Sequence, residues 1–212
     1  KPEGSCWIRG RRSCSNPQLL EENSMHSQSI DKNTVLLTTL AVLAALGIVA
    51  RIFIRIPVIP GFFELTPGFL FSELGGIVGG IPGGLFVGAV VGIGGALAGG
   101  EFPLLPMVGN MCLGLGTGIA VYLARRNSVK FSLIAILGGG IIGGFIPTMT
   151  IFAAVTDSLE LTFILAIADM IQAVIWAIAA IFVDRYIIQK ILGNYIYSDS
   201  SPTIELLDMG SN

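Results

Sequence analysis

The stretch Gly75-Gly-Ile-Val-Gly-Gly-Ile-Pro-Gly-Gly84 opens a long apolar run in which glycine recurs every three to five residues. Beyond it, Gly88 and Gly92 continue the four-residue spacing that Gly80 and Gly84 begin. Because residues i and i+4 share one face of a helix, this run predicts a helix with a groove nearly free of side chains. Such a groove lets helix backbones approach closely in lipid. The pattern favours tight packing of a compact bundle over a phosphate-binding loop, since the lysine and Ser/Thr of a P-loop are missing.

The composition predicts an all-α integral membrane protein. The chain is 53% hydrophobic and 12% charged, whereas soluble proteins carry about 25% charged residues. Between residues 34 and 192 there are only fourteen Asp, Glu, Lys and Arg residues. Apolar runs there reach the roughly 20 residues that a helix needs to cross a bilayer. The sequence does not alternate as a transmembrane barrel would, and no basic patch with interleaved aromatics predicts nucleic-acid binding.

Proline and glycine divide the apolar region into six predicted transmembrane helices in one compact bundle. We expect them at residues 35–56, 67–80, 82–99, 103–123, 131–155 and 161–188. Pro57 and Pro60 end the first helix, and Pro82 suits the first turn of the third. The domain organisation is therefore a polar N-terminal tail over 1–33, a membrane domain over 34–192 and a polar C-terminal tail over 193–212.

Positive charge predicts that both termini are cytoplasmic and that the protein is a multi-pass component of the cell membrane. Basic residues precede the first span, lie between the fourth and fifth, and follow the sixth: Arg9, Arg11, Arg12, Lys32, Arg125, Arg126, Lys130, Arg185 and Lys190. The opposite loops carry acidic residues: Glu64, Glu101, Asp157 and Glu160. Within the first 33 residues, Met25 is a plausible native start, so we expect residues 1–24 to be an upstream extension.

Neither catalysis nor metal binding is favoured by the titratable residues. The three cysteines, Cys6, Cys14 and Cys112, form neither a disulfide framework nor a zinc-ligand set, and His26 is the sole histidine. No Ser–His dyad, paired intramembrane aspartates or HExxH motif is present in the apolar region. We therefore expect no catalytic residues, no metal and no cofactor.

Polar residues within the predicted spans mark a candidate binding site, because such residues are costly in lipid. Asp169, Gln172 and Trp176 lie at i, i+3 and i+7 of the sixth span and share one face. A carboxylate, an amide and an indole suit a flat ligand that carries an amine or amide. Asn110 and Thr148 fall in the same outer half and would complete the pocket. The alternative is a structural polar cluster that binds a neighbouring helix.

The loop Pro57-Val-Ile-Pro-Gly-Phe-Phe-Glu-Leu-Thr-Pro67 brings Phe62, Phe63 and Glu64 to the outer face. These side chains would either anchor the loop at the membrane interface or cover a bound ligand. Glu73 in the second span is predicted to pair with Arg51 or Arg55, and these residues would either form a structural ion pair or contact the ligand.

Small residues on the first helix form a second candidate surface. Ala41 and Ala45 make a small-xxx-small pair, which would either pack inside the bundle or dock a partner membrane protein.

The region from about Thr34 to Leu192 resembles the substrate-binding S components of energy-coupling factor (ECF) transporters, which import vitamins and other micronutrients. Three elements carry the resemblance: the alanine-rich helix Leu40-Ala-Val-Leu-Ala-Ala-Leu-Gly-Ile-Val-Ala-Arg51, the proline-rich first loop and the glycine-proline junction Gly75–Gly84. The resemblance implies that the protein binds a micronutrient near the outer face. It also implies that Ala41 and Ala45 dock onto a coupling transmembrane subunit, which two separate ATPase subunits drive.

Two other functions stay open on the sequence alone. A self-contained secondary transporter or small channel would move solute without partners and would depend on Asp169. A membrane assembly factor would bind no ligand, and Asp169 and Trp176 would then affect stability alone.

Overall fold

The computed structural model describes residues 17–54, 56–59, 63–100, 102–151, 153 and 158–197. Side chains are described for these residues except 17–32, 56–59, 63–64 and 194. The elements, in chain order, are α1 (Pro17–Phe53), β1 (Ile56–Ile59), β2 (Phe63–Leu65), α2 (Gly68–Gly99), α3 (Leu104–Leu123), α4 (Val129–Leu137), the π-helix π1 (Gly138–Phe145), α5 (Ile146–Thr150), α6 (Leu159–Val183), the π-helix π2 (Asp184–Ile188) and α7 (Gln189–Ile196).

The described chain is almost entirely helical, as the sequence predicted. Its helices include five stretches that are long and apolar enough to cross a membrane: Asn33–Phe53, Gly68–Gly99, Leu104–Leu123, Val129–Thr150 and Leu159–Gly193. Many large apolar side chains point outward from these helices, among them Leu97, Leu133 and Ile164. Such a surface suits contact with lipid tails. The helix α1 begins at Pro17, so it extends back into the polar segment before the first apolar stretch.

The long helix α2 is broken at Gly80 and folds back on itself there. Gly80 has φ 65° and ψ −159°, a conformation that only glycine adopts readily. A Cβ placed at Gly75 would lie 2.7 Å from the Val87 Cβ. Twelve residues of straight helix would instead separate these two positions by about 18 Å. The residues 68–79 and 81–99 therefore run antiparallel, and the break at Gly80 lies at the predicted boundary between the second and third spans.

Glycines join both halves of α2 to α3, as the four-residue spacing predicted. A Cβ at Gly88 would lie 2.6 Å from the Asn110 carbonyl carbon, and one at Gly92 would lie 2.5 Å from the Met107 Cα. Gly84 and Gly114 meet even more closely, backbone against backbone. Because any side chain here would collide with the main chain of the other helix, the glycine groove is a packing surface.

The helix α1 packs one face on α2 and presents the other to the surroundings. Leu40 and Ala44 are buried, and a Cβ at Gly47 would contact Val91. Ala41 and Ala45 are exposed on the opposite face. The alternative in which these two alanines pack inside the bundle is therefore wrong.

A polar group that we call the opposite-end cluster joins α3, π2 and α7 to α2 beside its reversal at Gly80. Asp184 is 2% exposed, accepts hydrogen bonds from Gln189 Nε2 at 2.7 Å and from the Tyr197 hydroxyl at 3.0 Å, and lies 3.9 Å from Arg126 Nη1. Arg126 Nη2 donates to the Val78 carbonyl at 2.9 Å, and its guanidinium covers the Tyr197 ring at 3.9 Å. These contacts tie four elements together at one end of the bundle.

Candidate ligand cavity

A cavity of about 260 Å³ lies at the other end of the bundle, where α1, α2, α3, α5 and α6 meet. We call it the ligand cavity. It combines apolar walls with polar side chains from separate elements, and its lining residues are Arg51, Thr66, Phe69, Leu105, Pro106, Gly109, Asn110, Leu113, Gly143, Gly144, Pro147, Thr148, Asp169 and Gln172. Mixed apolar and convergent polar lining is typical of small-molecule sites.

The carboxylate of Asp169 faces the cavity and is held by α5. The Thr148 hydroxyl lies 2.7 Å from Asp169 Oδ2 and 3.0 Å from the Gly144 carbonyl oxygen. Gly144 lets α6 approach π1, because a Cβ there would lie 2.8 Å from the Met170 Cα. The sequence predicted Asp169 and Thr148 as site residues, and the structure brings them into direct contact beside the cavity.

The amide of Gln172 links α6 to the segment between β2 and α2. Gln172 Nε2 donates to the Thr66 hydroxyl at 3.2 Å, across 106 residues of sequence. The Gln172 side chain is buried at 2% exposure. This bond places the end of the hairpin against the cavity. Thr66 was not predicted as a site residue, because a threonine before a proline is common in turns and does not indicate a binding site.

Asn110 lines the third wall, as predicted, but its own polar atoms are partly occupied. Its Oδ1 accepts from the Ser72 hydroxyl at 2.9 Å, and its Nδ2 donates to the Pro106 carbonyl at 2.8 Å. These bonds fix the amide between α2 and α3. Asn110 is therefore a rigid part of the wall.

Arg51 extends from α1 to the cavity across two glycines of α2, whose missing side chains leave space for it. A Cβ at Gly95 would collide with the Arg51 side chain, and one at Gly68 would lie 3.4 Å from the Arg51 Cβ. The aliphatic stem therefore lies on two glycines of α2, and Arg51 contributes to the cavity lining. The sequence signal was an arginine toward the outer end of the first span, for which the sequence left open a structural pair with Glu73 or a contact with the ligand.

The predicted pairing of Glu73 with Arg51 is wrong. Glu73 is fully buried, and neither carboxylate oxygen has a hydrogen-bond partner in the described part of the chain. A Cβ at Gly139 would lie 3.1 Å from Glu73 Oε1, so this carboxyl group faces π1. Arg51 instead lies at the cavity, and Arg55 falls outside the described residues.

Trp176 does not line the cavity, contrary to the prediction. Seven residues of helix place it about 10 Å further along α6 than Asp169, although the two share a face. Its indole nitrogen is buried and has no hydrogen-bond partner among the described residues. A shared helix face with Asp169 therefore did not bring Trp176 into the cavity lining.

The predicted covering loop forms an antiparallel hairpin of β1 and β2 beside the cavity. Ile56 pairs with Leu65, and Pro57 pairs with Glu64. Phe63 and Glu64 belong to β2, only two or three residues before Thr66, which lines the cavity. Their side chains and all of Phe62 lie outside the described residues, so a contact with ligand stays a prediction.

The cavity thus brings together a carboxylate, a guanidinium, two carboxamides and two hydroxyl groups. In the described part of the chain, no three His, Cys, Asp or Glu side chains gather as metal ligands. Such a set can bind polar groups of a small molecule in several directions at once. No protein family, curated protein sequence or solved structure matches this chain.

Proposed function

We propose that the protein is the substrate-capture membrane subunit of an ATP-driven importer for a micronutrient such as a vitamin. The ligand cavity supports this proposal most strongly. Asn110, Thr148, Asp169 and Gln172, chosen from the sequence as ligand contacts, all line that one cavity. Its position at the end of the bundle that carries β1 and β2 suits capture of a solute from one side of a membrane.

The proposal includes six membrane crossings with both termini in the cytoplasm. The reversal at Gly80 supports the sixth crossing, because it turns α2 into two antiparallel helices. The first of these, residues 68–79, rises only about 18 Å, less than the roughly 30 Å of a bilayer core. The cavity end would then face outward, and the opposite-end cluster with its arginines would face the cytoplasm, in accord with the positive-inside rule.

The outward face of α1 is the proposed docking surface for a coupling transmembrane subunit with two ATPase subunits. Ala41 and Ala45 are both exposed, and small residues let a partner helix approach closely. Exposed large side chains, Val42 and Leu46, flank them on the same helix.

The docking test uses the full chain, tagged and purified from its native membranes. We expect ATPase activity to co-elute with the wild-type protein and to be lost from the Ala41→Trp/Ala45→Trp variant. Ala98→Trp is the matched control, since Ala98 is an exposed alanine on α2. Retention of ATPase activity by the double variant at the level of Ala98→Trp would contradict the docking surface.

The unpartnered Glu73 carboxyl group favours a second candidate, a self-contained secondary transporter. Ionisable groups buried in transmembrane helices often carry protons in such proteins. This candidate requires solute uptake by liposomes that contain the purified chain alone, and loss of that uptake in Glu73→Gln. The importer-subunit proposal expects no such uptake without the ATPase partners.

A further inference from the structure

We infer that the ligand cavity binds a small organic cation, whose protonated nitrogen bonds to Asp169 and whose N–H groups also reach Gln172. This inference rests on the proposed function for the use of the site, and it adds the chemical class of the substrate. It follows from the polar atoms on the α6 wall of the cavity that have no partner within the described chain.

Asp169 brings a carboxylate to the cavity without a counter-ion. Its Oδ2 contacts the Thr148 hydroxyl at 2.7 Å, and its Oδ1 has no hydrogen bond with any described residue. The ion pair between described residues joins Arg126 to Asp184 in the opposite-end cluster, so Asp169 has no ion-pair partner among them. A carboxylate inside an apolar bundle needs a proton, water or a compensating charge. A protonated amine would supply that charge and form a charge-assisted hydrogen bond.

Gln172 provides a second acceptor on the same wall of the cavity. It lies three residues after Asp169 on α6, and side chains at this spacing share a face with about 5–6 Å between their Cβ atoms. Gln172 Nε2 donates to the Thr66 hydroxyl at 3.2 Å, whereas its Oε1 has no hydrogen bond with a described residue. Neither this Oε1 nor Asp169 Oδ1 is among the fully buried unpartnered atoms of the described chain, so both are accessible. An ammonium group with several N–H donors can bond to both atoms.

The other strongly polar side chains of the lining already have partners. Arg51 has an interaction within the protein. Asn110 accepts from the Ser72 hydroxyl and donates to the Pro106 carbonyl. Asp169 is therefore the charged group of the lining that a ligand meets without a counter-ion, and a cation is favoured there over an anion.

The remaining lining suits a compact body with one ring. Phe69, Leu105 and Pro147 supply apolar surface beside the polar α6 wall. The volume of about 260 Å³ falls below the roughly 300–1,000 Å³ of pockets for drug-sized ligands. A single ring that carries an aminomethyl group would fill this space with apolar contacts and place its nitrogen at the acceptors.

Three probes that share one ring separate charge from apolar contact. At neutral pH benzylamine is a cation, benzoate is an anion and benzyl alcohol is neutral. Binding to the purified full chain is measured by equilibrium dialysis in nanodiscs of uncharged phosphatidylcholine, with empty nanodiscs as the blank. We expect benzylamine to bind about tenfold or more tightly than benzyl alcohol, because it alone forms a charge-assisted bond with Asp169, and benzoate to bind most weakly.

Two substitutions assign the preference for benzylamine over benzyl alcohol to the α6 wall. Asp169→Asn should remove this preference, and Gln172→Met should reduce it by a smaller factor. Glu160→Gln is the matched control, since it removes an exposed carboxylate outside the cavity and should leave the preference intact. Because benzyl alcohol needs no carboxylate, its binding confirms that each variant keeps its cavity.

Three results would overturn the cation site. In the first, benzyl alcohol or benzoate binds the wild-type protein as tightly as benzylamine. In the second, no probe binds at millimolar concentration, and in the third, Asp169→Asn or Gln172→Met keeps the full preference.

The importer proposal fails separately from the cation site. A preference for benzylamine that depends on Asp169, together with an absence of co-eluting ATPase activity, would retain the cation site and reject the importer subunit. Co-eluting ATPase activity without that preference would retain the importer subunit and reject the cation site.

Discussion

Each end of the bundle contains an acidic side chain, but the two carboxylates differ in how many of their oxygens bond within the protein. At the opposite-end cluster, Asp184 receives hydrogen bonds on both oxygens and lies near Arg126, so its bonding capacity is used within the protein. At the ligand cavity, Asp169 has a described bond on one oxygen alone. Saturated polar groups hold a fold together, whereas unsaturated groups beside a cavity are available to a ligand. The comparison therefore assigns stability to one end and recognition to the other.

The largest expected effect comes from breaking the opposite-end cluster. Asp184→Ala should lower the free energy of unfolding by about 3 kcal/mol, because it leaves Arg126 without its acidic neighbour in a part-buried site. Chemical denaturation in detergent micelles measures this change. Asp169→Ala, measured beside it, should cost less than half as much. Equal losses of unfolding free energy in Asp184→Ala and Asp169→Ala would contradict the assignment of stability to the opposite-end cluster.

Glu73 provides a third acidic side chain for comparison with Asp184 and Asp169. Its buried carboxyl group has no hydrogen-bond partner in the described chain. Replacing it with leucine should raise the free energy of unfolding by about 1–3 kcal/mol, since the substitution removes an unsatisfied buried polar group. The same denaturation experiment applies, with Glu160→Leu as the exposed control. A destabilised Glu73→Leu protein would indicate a bonding partner for this carboxyl group.

A smaller effect is expected at Tyr197, whose hydroxyl donates to Asp184. Tyr197→Phe should cost about 1 kcal/mol, the usual net value of one hydrogen bond. Burial raises the pKa of the Tyr197 phenol above its ordinary value of about 10. The folded protein therefore retains this proton at a pH where the unfolded chain releases it, and the contribution of Tyr197 declines as the pH rises above about 10. Unfolding measured from pH 8 to 11 should show a smaller alkaline loss for Tyr197→Phe than for wild type.

The smallest expected effect lies on the outward face of α1, which belongs to neither end. Ala41→Trp should change the free energy of unfolding by less than about 0.5 kcal/mol, because Ala41 is exposed. Ala44→Trp, at a buried position three residues further along α1, should destabilise the protein by more than about 1 kcal/mol through overpacking. Similar losses of unfolding free energy for Ala41→Trp and Ala44→Trp would show that Ala41 packs against the rest of the bundle.

The sequence allowed prediction of the helices and of most of the polar residues that line the cavity, for physical reasons that differ between residues. Polar groups such as Asp169, Gln172 and Asn110 stand out in apolar runs because burying them is costly. The glycine spacing predicted a close packing surface on α2, because backbone approach needs small residues on one face, but it did not identify α3 as the partner. These signals are local, so they are readable without the tertiary structure.

Other features depended on contacts between distant segments. Thr66 reaches the cavity only because the hairpin ends against Gln172, 106 residues away. Arg51 reaches it because Gly68 and Gly95 of α2 leave space for its stem. Trp176 shares a face with Asp169 but lies about 10 Å further along the helix. The sequence does not show how far along α6 the cavity extends. The proline at 82 suggested where the helix breaks, yet the positive φ of Gly80 is what reverses it.

The central claim is that the ligand cavity holds a small molecule through Asp169, and what co-purifies with the protein tests it most directly. Small molecules are extracted from wild-type, Asp169→Asn and Glu160→Gln proteins purified from native membranes and compared by mass spectrometry. We predict a small molecule that wild type and Glu160→Gln retain at similar occupancy and that Asp169→Asn loses at least tenfold. Extracts that are the same for all three proteins would contradict the claim.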